Sequence, residues 1–452
     1  MVKYLPFIFI LLILSGCASK KFTKKGDKFE DAGLYEDAAE YYYQAVKKKD
    51  SNLDAKIGLR KNGQLLLDQK LSDFNNAYVQ GDYKKAVYDF IRAEDYYYKV
   101  KAVGVNLEFP EKNREYYQEA KEEYLTVKYS EGIDKLNRED FASAQKVFKE
   151  IMDIDPNYKD AKDQFMVAKF EPMYREAIQW LENDLYRKAY YQFESILAVT
   201  GQYKQAFILK DEAREKATIR IVVSDFSNAS YNYREVSNSL NSKIRGKLSS
   251  TNNPFLKIID PQTLDVNLYD NGIVNMQAAN LAGINAVLTG RVEKISEIAG
   301  KLNKTQQKGY LKEIRKVKNE AGEEVEKAFY SKTEYFEYNV QNNANLDVSF
   351  KLVSTENNEV LVSDLLTMGN SDFAHYATFE GDYKKLVPGH WKSKNGNSPE
   401  DVIKDNVSDV RNLRNLMEAK RTAKSPSTLL VELITETTDG ITSKVENYNP
   451  EE

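Results

Sequence analysis

Rings and alanines recur at helical spacing through the first half of the chain. Gly33-Tyr35-Ala38-Tyr42, Gly81-Tyr83-Ala86-Phe90, Glu139-Phe141-Ala144-Phe148 and Asp184-Tyr186-Ala189-Phe193 share one pattern. In each, a small residue or an acid precedes a ring by two positions, an alanine follows three later, and a second ring comes four beyond that. The next small or apolar position also recurs, at Ala45, Ala93, Ile151 and Ile196. On a helix such a set shares one face, the ring forming a knob and the alanine a seat for a neighbouring helix. One such pair cannot bury its apolar face alone, so the pattern predicts stacked helix pairs. The shared position falls at 33, 81, 139 and 184, so the array is irregular, with longer or extra helices filling the gaps. Residues 104–110 read as a loop between units, and Asp155-Pro156 as a helix stop.

Near residue 218 the period changes from helical to extended. Residues 218–226, rich in Ile and Val, predict a buried strand, followed by a helix ending near Leu248 and a short strand at 255–259. A helix through Met276 and Leu281 then feeds a strand at 286–292, and this alternation predicts an α/β sheet. Further on, a hairpin is expected between 310 and 340, turning at 319–324. Residues 341–345 and 392–398 read as loops, 402–420 and 427–445 as two helices, and the last residues as a mobile tail.

The N-terminus changes what counts as the mature protein. Lys3 precedes an apolar run at 5–14 that has the length of a signal core and is too short to span a bilayer comfortably. The run leads into Leu14-Ser15-Gly16-Cys17, which resembles the lipobox of bacterial lipoproteins. That resemblance implies cleavage before Cys17 and acylation of its thiol; an ordinary secretory signal, cleaved elsewhere, is the alternative. Cys17 is the only cysteine, which excludes an internal disulfide. Beyond residue 20 no stretch of about eighteen apolar residues suggests a second crossing.

The ring and alanine pattern resembles tetratricopeptide repeats, over about residues 22–215, with a generic helical bundle as the alternative. The resemblance implies a concave face that holds peptides or partner proteins and is lined by the first helix of each pair. By position in the repeat, Asn75 and Tyr78 would point into that groove, where other units carry Ile133, Leu136, Ile178 and Leu181. The second half, through Ile221-Val222-Val223-Ser224-Asp225-Phe226, Ile258-Ile259-Asp260 and Leu281-Ala282-Gly283-Ile284-Asn285-Ala286-Val287-Leu288-Thr289-Gly290, resembles the CsgG family of envelope lipoproteins. What this implies is a later strand pair at 348–355 and 360–363 around Asn357-Asn358 and a role in envelope assembly or secretion, some members forming a pore from β-hairpins. In the candidate hairpin, residues 311–318 repeat their apolar positions every three with charge between them, and the return strand with Tyr335, Phe336, Tyr338 and Val340 is mixed, which favours a contact hairpin over one that inserts in lipid.

The composition narrows the chemistry. With 65 basic against 69 acidic residues the net charge is -4, which does not point to nucleic acid. The two histidines, His375 and His390, read as lone loop residues without metal-ligand spacing. There is no phosphate loop, nucleophile elbow or second cysteine. Asp225 lacks a nearby base, Glu323-Glu324 reads as a solvated turn, and Trp391 either packs over a loop or marks a contact surface.

The chain is therefore expected to be a two-part α+β protein, a tetratricopeptide-like helical array followed by a CsgG-like α/β sandwich domain. The expected division is a signal peptide at 1–16, a lipidated tether at 17–28, repeats at 29–217, the α/β domain at 218–445 and a tail at 446–452. The expected function is that of a non-enzymatic envelope lipoprotein of the outer membrane, a protein-binding adaptor in assembly or secretion. An oligomeric secretion channel and an activator of a wall-building enzyme are the alternatives. Expected partners are the membrane through the lipid on Cys17, envelope proteins or peptides through the repeats, and other copies of the chain. No nucleic acid, cofactor or metal is expected.

Overall fold

The computed structural model describes residues 5–229, 234–264, 268–270, 273–320 and 322–452, with side chains from residue 18 onward except at 270 and 273. An N-terminal run of helices precedes a mixed-sheet domain, and the chain divides into two compact units, Met1–Gln179 and Trp180–Glu452.

The helical run comprises α1 (Leu5–Asp31), α2 (Tyr35–Lys48), α3 (Leu53–Val79), α4 (Tyr83–Lys101), α5 (Glu111–Asn137), α6 (Phe141–Ile154), α7 (Ala161–Glu182), α8 (Tyr186–Thr200) and α9 (Ala206–Ala217). The repeated small residue or acid is the turn before each even-numbered helix from α2 to α8. Gly33, Gly81, Glu139 and Asp184 all have positive φ, between 58° and 73°. Leu34 N–H bonds Phe29 O, Asp82 N–H bonds Ala77 O, Asp140 N–H bonds Lys135 O and Leu185 N–H bonds Trp180 O, each closing the preceding helix with a left-handed residue. Asp82 and Asp140 then cap the next helix, accepting from Lys85 N–H and Ser143 N–H.

The knobs and seats are as tight as the pattern requires. Ala38, Ala86, Ala144 and Ala189 are fully buried, as are Phe148 and Phe193, with Tyr42 and Phe90 almost so. Glycines on neighbouring helices complete the seats. A Cβ at Gly132 would lie 2.7 Å from Cζ of Phe148, and Cβ atoms at Gly26 and Gly58 would lie 2.7 and 2.5 Å from the Tyr42 ring. Residues 17–28 are not a tether. They continue α1, whose Ser19 Oγ donates to Ala45 O at 2.7 Å and whose Phe29 stacks on Tyr41 at 5.1 Å, so α1 is the first helix of the first pair. The repeat pattern missed it because the signature residues all sit on the second helix of a pair.

In the second unit, β1 (Ile219–Val223), β2 (Ser227–Asn228), α10 (Arg234–Ser249), β3 (Leu256–Ile258), β4 (Tyr269–Asp270), β5 (Ile273–Val274), α11 (Met276–Leu281) and β6 (Ala286–Ile298) lead into long antiparallel strands. These are β7 (Asn303–Lys318), β8 (Glu324–Ser354) and β9 (Val360–Thr378); β10 (Leu386–His390), β11 (Val402–Ile403), α12 (Val407–Glu418) and α13 (Pro426–Glu446) complete the chain. β1 pairs in parallel with β3 and β6, β6 is antiparallel to β8, and β8 carries β7 along its first half and β9 along its second. Alternation assigns the faces: Ile219, Ile221, Val223 and Leu288 pack with Leu240 and Ile244 of α10 and Leu433 and Ile441 of α13. Val222 and Val287 pack on the other side with Ala279 of α11.

Several expectations are corrected here. Residues 341–345 form no loop; they lie within β8, where Asn343 pairs with Ile298 on one side and Ser371 on the other, so the asparagine backbones are bonded from both edges. His375 is a strand residue whose Nε2 lies 2.5 Å from Glu337 on β8, and His390 ends β10. The span 402–420 holds a short strand before α12. The compact boundary falls at residues 179/180 and not at 217, because α8 and α9 pack with the sheet: Tyr190 and Tyr191 set their rings edge-on to Phe255 at 5.2 and 5.5 Å. The tail is docked as well. The Glu451 carboxylate accepts from Arg187 and Lys188 N–H at the first turn of α8, and Arg187 Nη1 donates to Tyr448 O at 2.8 Å.

Candidate functional site

Of the residues singled out in the sequence, Cys17 lies on α1 with its side chain outside those described. No helix among the described residues is long and apolar enough to cross a membrane. Asn75 and Tyr78 are both half-buried on α3. Tyr78 faces the next pair and does not stand free in a groove: its ring stacks on Tyr116 of α5 at 4.9 Å, and its hydroxyl donates to Glu119, which pushes the phenol up to about 12. Ile133 and Leu136, at the corresponding positions of α5, also pack against the same apolar cluster. The sequence places these residues on the correct helices, and the structure uses the rings to join successive pairs.

Large apolar side chains are left exposed on several elements, among them Val79 beside Tyr78 on α3 and Phe373 on β9. On α3, Leu53 and Ile57 are four residues apart and expose 71% and 68% of their surface, while Ala55, Leu59 and Leu67 on the same helix are buried. In the second unit, Val199, Phe207 and Ile208 flank the short connection between α8 and α9, with Phe207 and Ile208 exposed by 63% and 67%. Apolar side chains grouped in this way on a soluble surface are a common mark of partner contact. The sequence signal was present, since none of these residues falls in the ring and alanine register.

The second unit also builds a cleft of about 560 Å³ lined by Lys312, Arg315, Lys384, Lys385 and Arg414, with Glu313 and Asp405 as its acids. Both acids are engaged internally. Lys312 Nζ lies 2.6 Å from Asp405, which also accepts from Tyr330, and Arg315 bonds Glu313. Lys384 and Lys385 leave the cleft positive, and the positive charge holds the Glu313 carboxyl below its usual range, Arg315 acting most strongly.

The β7–β8 hairpin beyond this cleft turns at Asn319 and Gly322, whose N–H bonds Asn319 O at 2.9 Å. Charges occupy both of its faces. Lys312, Lys316 and Glu326 share one with Ile314 and Ala328, while Glu313, Arg315 and Lys327 share the other with Val317, Val325 and Phe329. Its base is braced by residues 386–405. Trp391 is buried, its Nε1–H donates to Gly309 O at 3.2 Å, and Lys308 lies 4.6 Å over its ring, so Trp391 packs and is not a contact surface. Lys332 Nζ lies 2.6 Å from Asp401 and also donates to Ser393 O and Gly396 O. Led by that lysine, with backbone N–H groups of Ser398 and Lys392, these contacts pull the Asp401 carboxyl down to about 2.

Among the described residues no cluster of three His, Cys, Asp or Glu side chains could hold a metal ion. Asp225 makes an ion pair with Arg245 at 2.8 Å. The arrangement suits recognition through surfaces: an apolar helical strip, an apolar helix turn and a positive cleft. No family model matches the chain, and no curated protein matches it.

Proposed function

We propose that this chain is a lipid-anchored lipoprotein of the cell envelope that acts as a protein-binding adaptor in envelope assembly or secretion. The observation that carries the reading is the pairing of exposed apolar side chains on helix surfaces outside the repeat core, Leu53 with Ile57 on α3 and Phe207 with Ile208 on α9. The ring and alanine pattern that resembles tetratricopeptide repeats, the lipobox-like Leu14-Ser15-Gly16-Cys17, and a mixed-sheet domain whose sequence resembles the CsgG family support the same reading. The rival pore function asks the β7–β8 hairpin to enter lipid with charge on both faces. Each such charge costs about 2–4 kcal/mol at the bilayer midplane, which weighs against it.

The test is crosslinking in native membranes with the acylated chain, the captured proteins read by mass spectrometry. An adaptor yields a small set of envelope proteins that is lost when Leu53→Ser/Ile57→Ser or Phe207→Ser/Ile208→Ser is introduced. Unchanged capture by both double variants sinks the surface assignment. Recovery of a many-copy ring of this chain alone, with conductance in planar bilayers, replaces the adaptor by the channel.

A further inference from the structure

The first helix carries a second feature that the adaptor reading does not use. Lys20, Lys21, Lys24, Lys25 and Lys28 are all exposed on α1. At about 100° per residue they occupy an arc of about 140°, opposite the face on which Ser19, Phe22, Gly26 and Phe29 meet α2 and α3. The antiparallel return adds Lys47, Lys48 and Lys49, all exposed, at the end of α2.

Hydrogen bonds fix these two ends together. Ser19 Oγ donates to Ala45 O at 2.7 Å, and Asn52 Nδ2 donates to Ser19 Oγ at 2.8 Å and to Thr23 Oγ1 at 2.9 Å. Lys20, Lys24 and Lys49 consequently line one shallow cleft with Asn52. Asp27, which accepts from the Tyr42 hydroxyl, and the exposed Asp54 line the same cleft, so its three lysines face two acids and leave it net positive, while Asp50 beside it is paired with Lys56 at 2.7 Å. Lys20 is also only three residues beyond Cys17 on the same continuous helix.

We infer that this lysine face of α1, with 47–49, is a docking surface for anionic phospholipid headgroups, lying along the bilayer to which Cys17 is anchored. The inference rests on the anchor reading for its geometry, and the charge supplies the occupant. A basic stripe beside a membrane-facing end meets a negatively charged leaflet, with an attraction worth roughly a fivefold gain in partitioning per lysine. Its role is orientational: two acyl chains hold the protein at the membrane but leave it free to swing, whereas a pinned α1 fixes the first helix pair against the surface.

The probe is a chain beginning at Ala18, which retains every described side chain, mixed with vesicles of phosphatidylcholine alone or with added phosphatidylglycerol. Its thermal melt is matched first to that of the acylated chain in detergent. Sedimentation with the anionic vesicles that weakens as salt rises is expected, together with a loss of at least about a hundredfold in the Lys20→Gln/Lys21→Gln/Lys24→Gln/Lys25→Gln variant. Equal partitioning to both vesicle types overturns the proposal, and so does a quadruple variant that binds as well as the parent. The mass of the N-terminal peptide from native membranes tests acylation separately: an unmodified Cys17 defeats the anchor reading while the vesicle result stands on its own.

Discussion

Gly58→Ala tests the knob-and-seat packing most directly, because generic helix physics and this structure predict opposite signs. In an exposed helix interior the change is worth about 1 kcal/mol of added stability. Here the new Cβ would sit 2.5 Å from Cζ and 2.6 Å from Cε1 of Tyr42. The ring has nowhere to go: it is almost fully buried, it packs so close to Gly26 that a Cβ there would lie 2.7 Å from it, and its hydroxyl is tied to Asp27 at 2.7 Å and Glu30 at 2.8 Å. Overpacking of this kind costs about 1–3 kcal/mol, and the trapped ring puts the case at the upper end. The net effect is a destabilisation of about 2 kcal/mol, or roughly 4–8 °C in the melting of the first unit. The assay is the helical circular dichroism signal followed against Trp391 fluorescence in a Trp180→Phe background, since Trp391 lies in the second unit while Trp180 sits on α7, most of which belongs to the first. Loss of the first unit should precede any change in fluorescence. In a Tyr42→Ala background the same substitution should reverse sign and stabilise by about 1 kcal/mol, as expected when two residues are coupled through contact. A Gly58→Ala chain as stable as its parent, or more so, refutes the packing argument.

Other predictions concern the second unit. Gly246 on α10 is exposed, and a Cβ there meets nothing within 4 Å, so Gly246→Ala should raise the unfolding free energy, read from denaturant melts, by about 0.4–1 kcal/mol; a loss of stability would mean the helix needs the glycine. Glu451→Ala removes the carboxylate that accepts from Arg187 and Lys188 N–H at the start of α8 and should cost about 0.5–2 kcal/mol, with faster hydrogen exchange confined to that first turn. Asp401 has a folded pKa, about 2, below its ordinary value near 3.8, so its contribution is present above pH 4 and is lost as pH falls through about 2. In a Trp180→Phe background the Trp391 emission should stay constant from pH 7 to about 4 and shift to the red in the acid window, whereas Asp401→Asn, by leaving Lys332 unpaired, should shift it already at neutral pH. An acid transition unchanged by Asp401→Asn would exclude that pair as its cause.

What could be read in advance followed from whether a structural requirement leaves a local mark. The turn at 33, 81, 139 and 184 demands a left-handed residue followed by a buried ring and alanine, and both demands are written within ten residues of sequence. The β1 alternation is equally local, because Ile221 and Val223 face α10 while Val222 faces α11. Requirements set by distant partners left no such mark. Asn342 looks like loop composition, yet its side chain accepts from Gly300 N–H and donates to Lys424 O, so its polarity is satisfied inside the sheet. Phe255 reads only as the start of a short strand, although its edge contacts with Tyr190 and Tyr191 are what hold α8 in the second unit. The candidate surfaces were missed for a related reason. Tyr78 stands at a groove position by analogy with a regular array, but spacings of unequal length let Tyr116 close over it, while Leu53 and Ile57, outside the register, remain uncovered. In an irregular array the exposed face thus follows from which residues the packing leaves over. The exposed apolar pairs, more than the repeat positions, are where a partner should be sought.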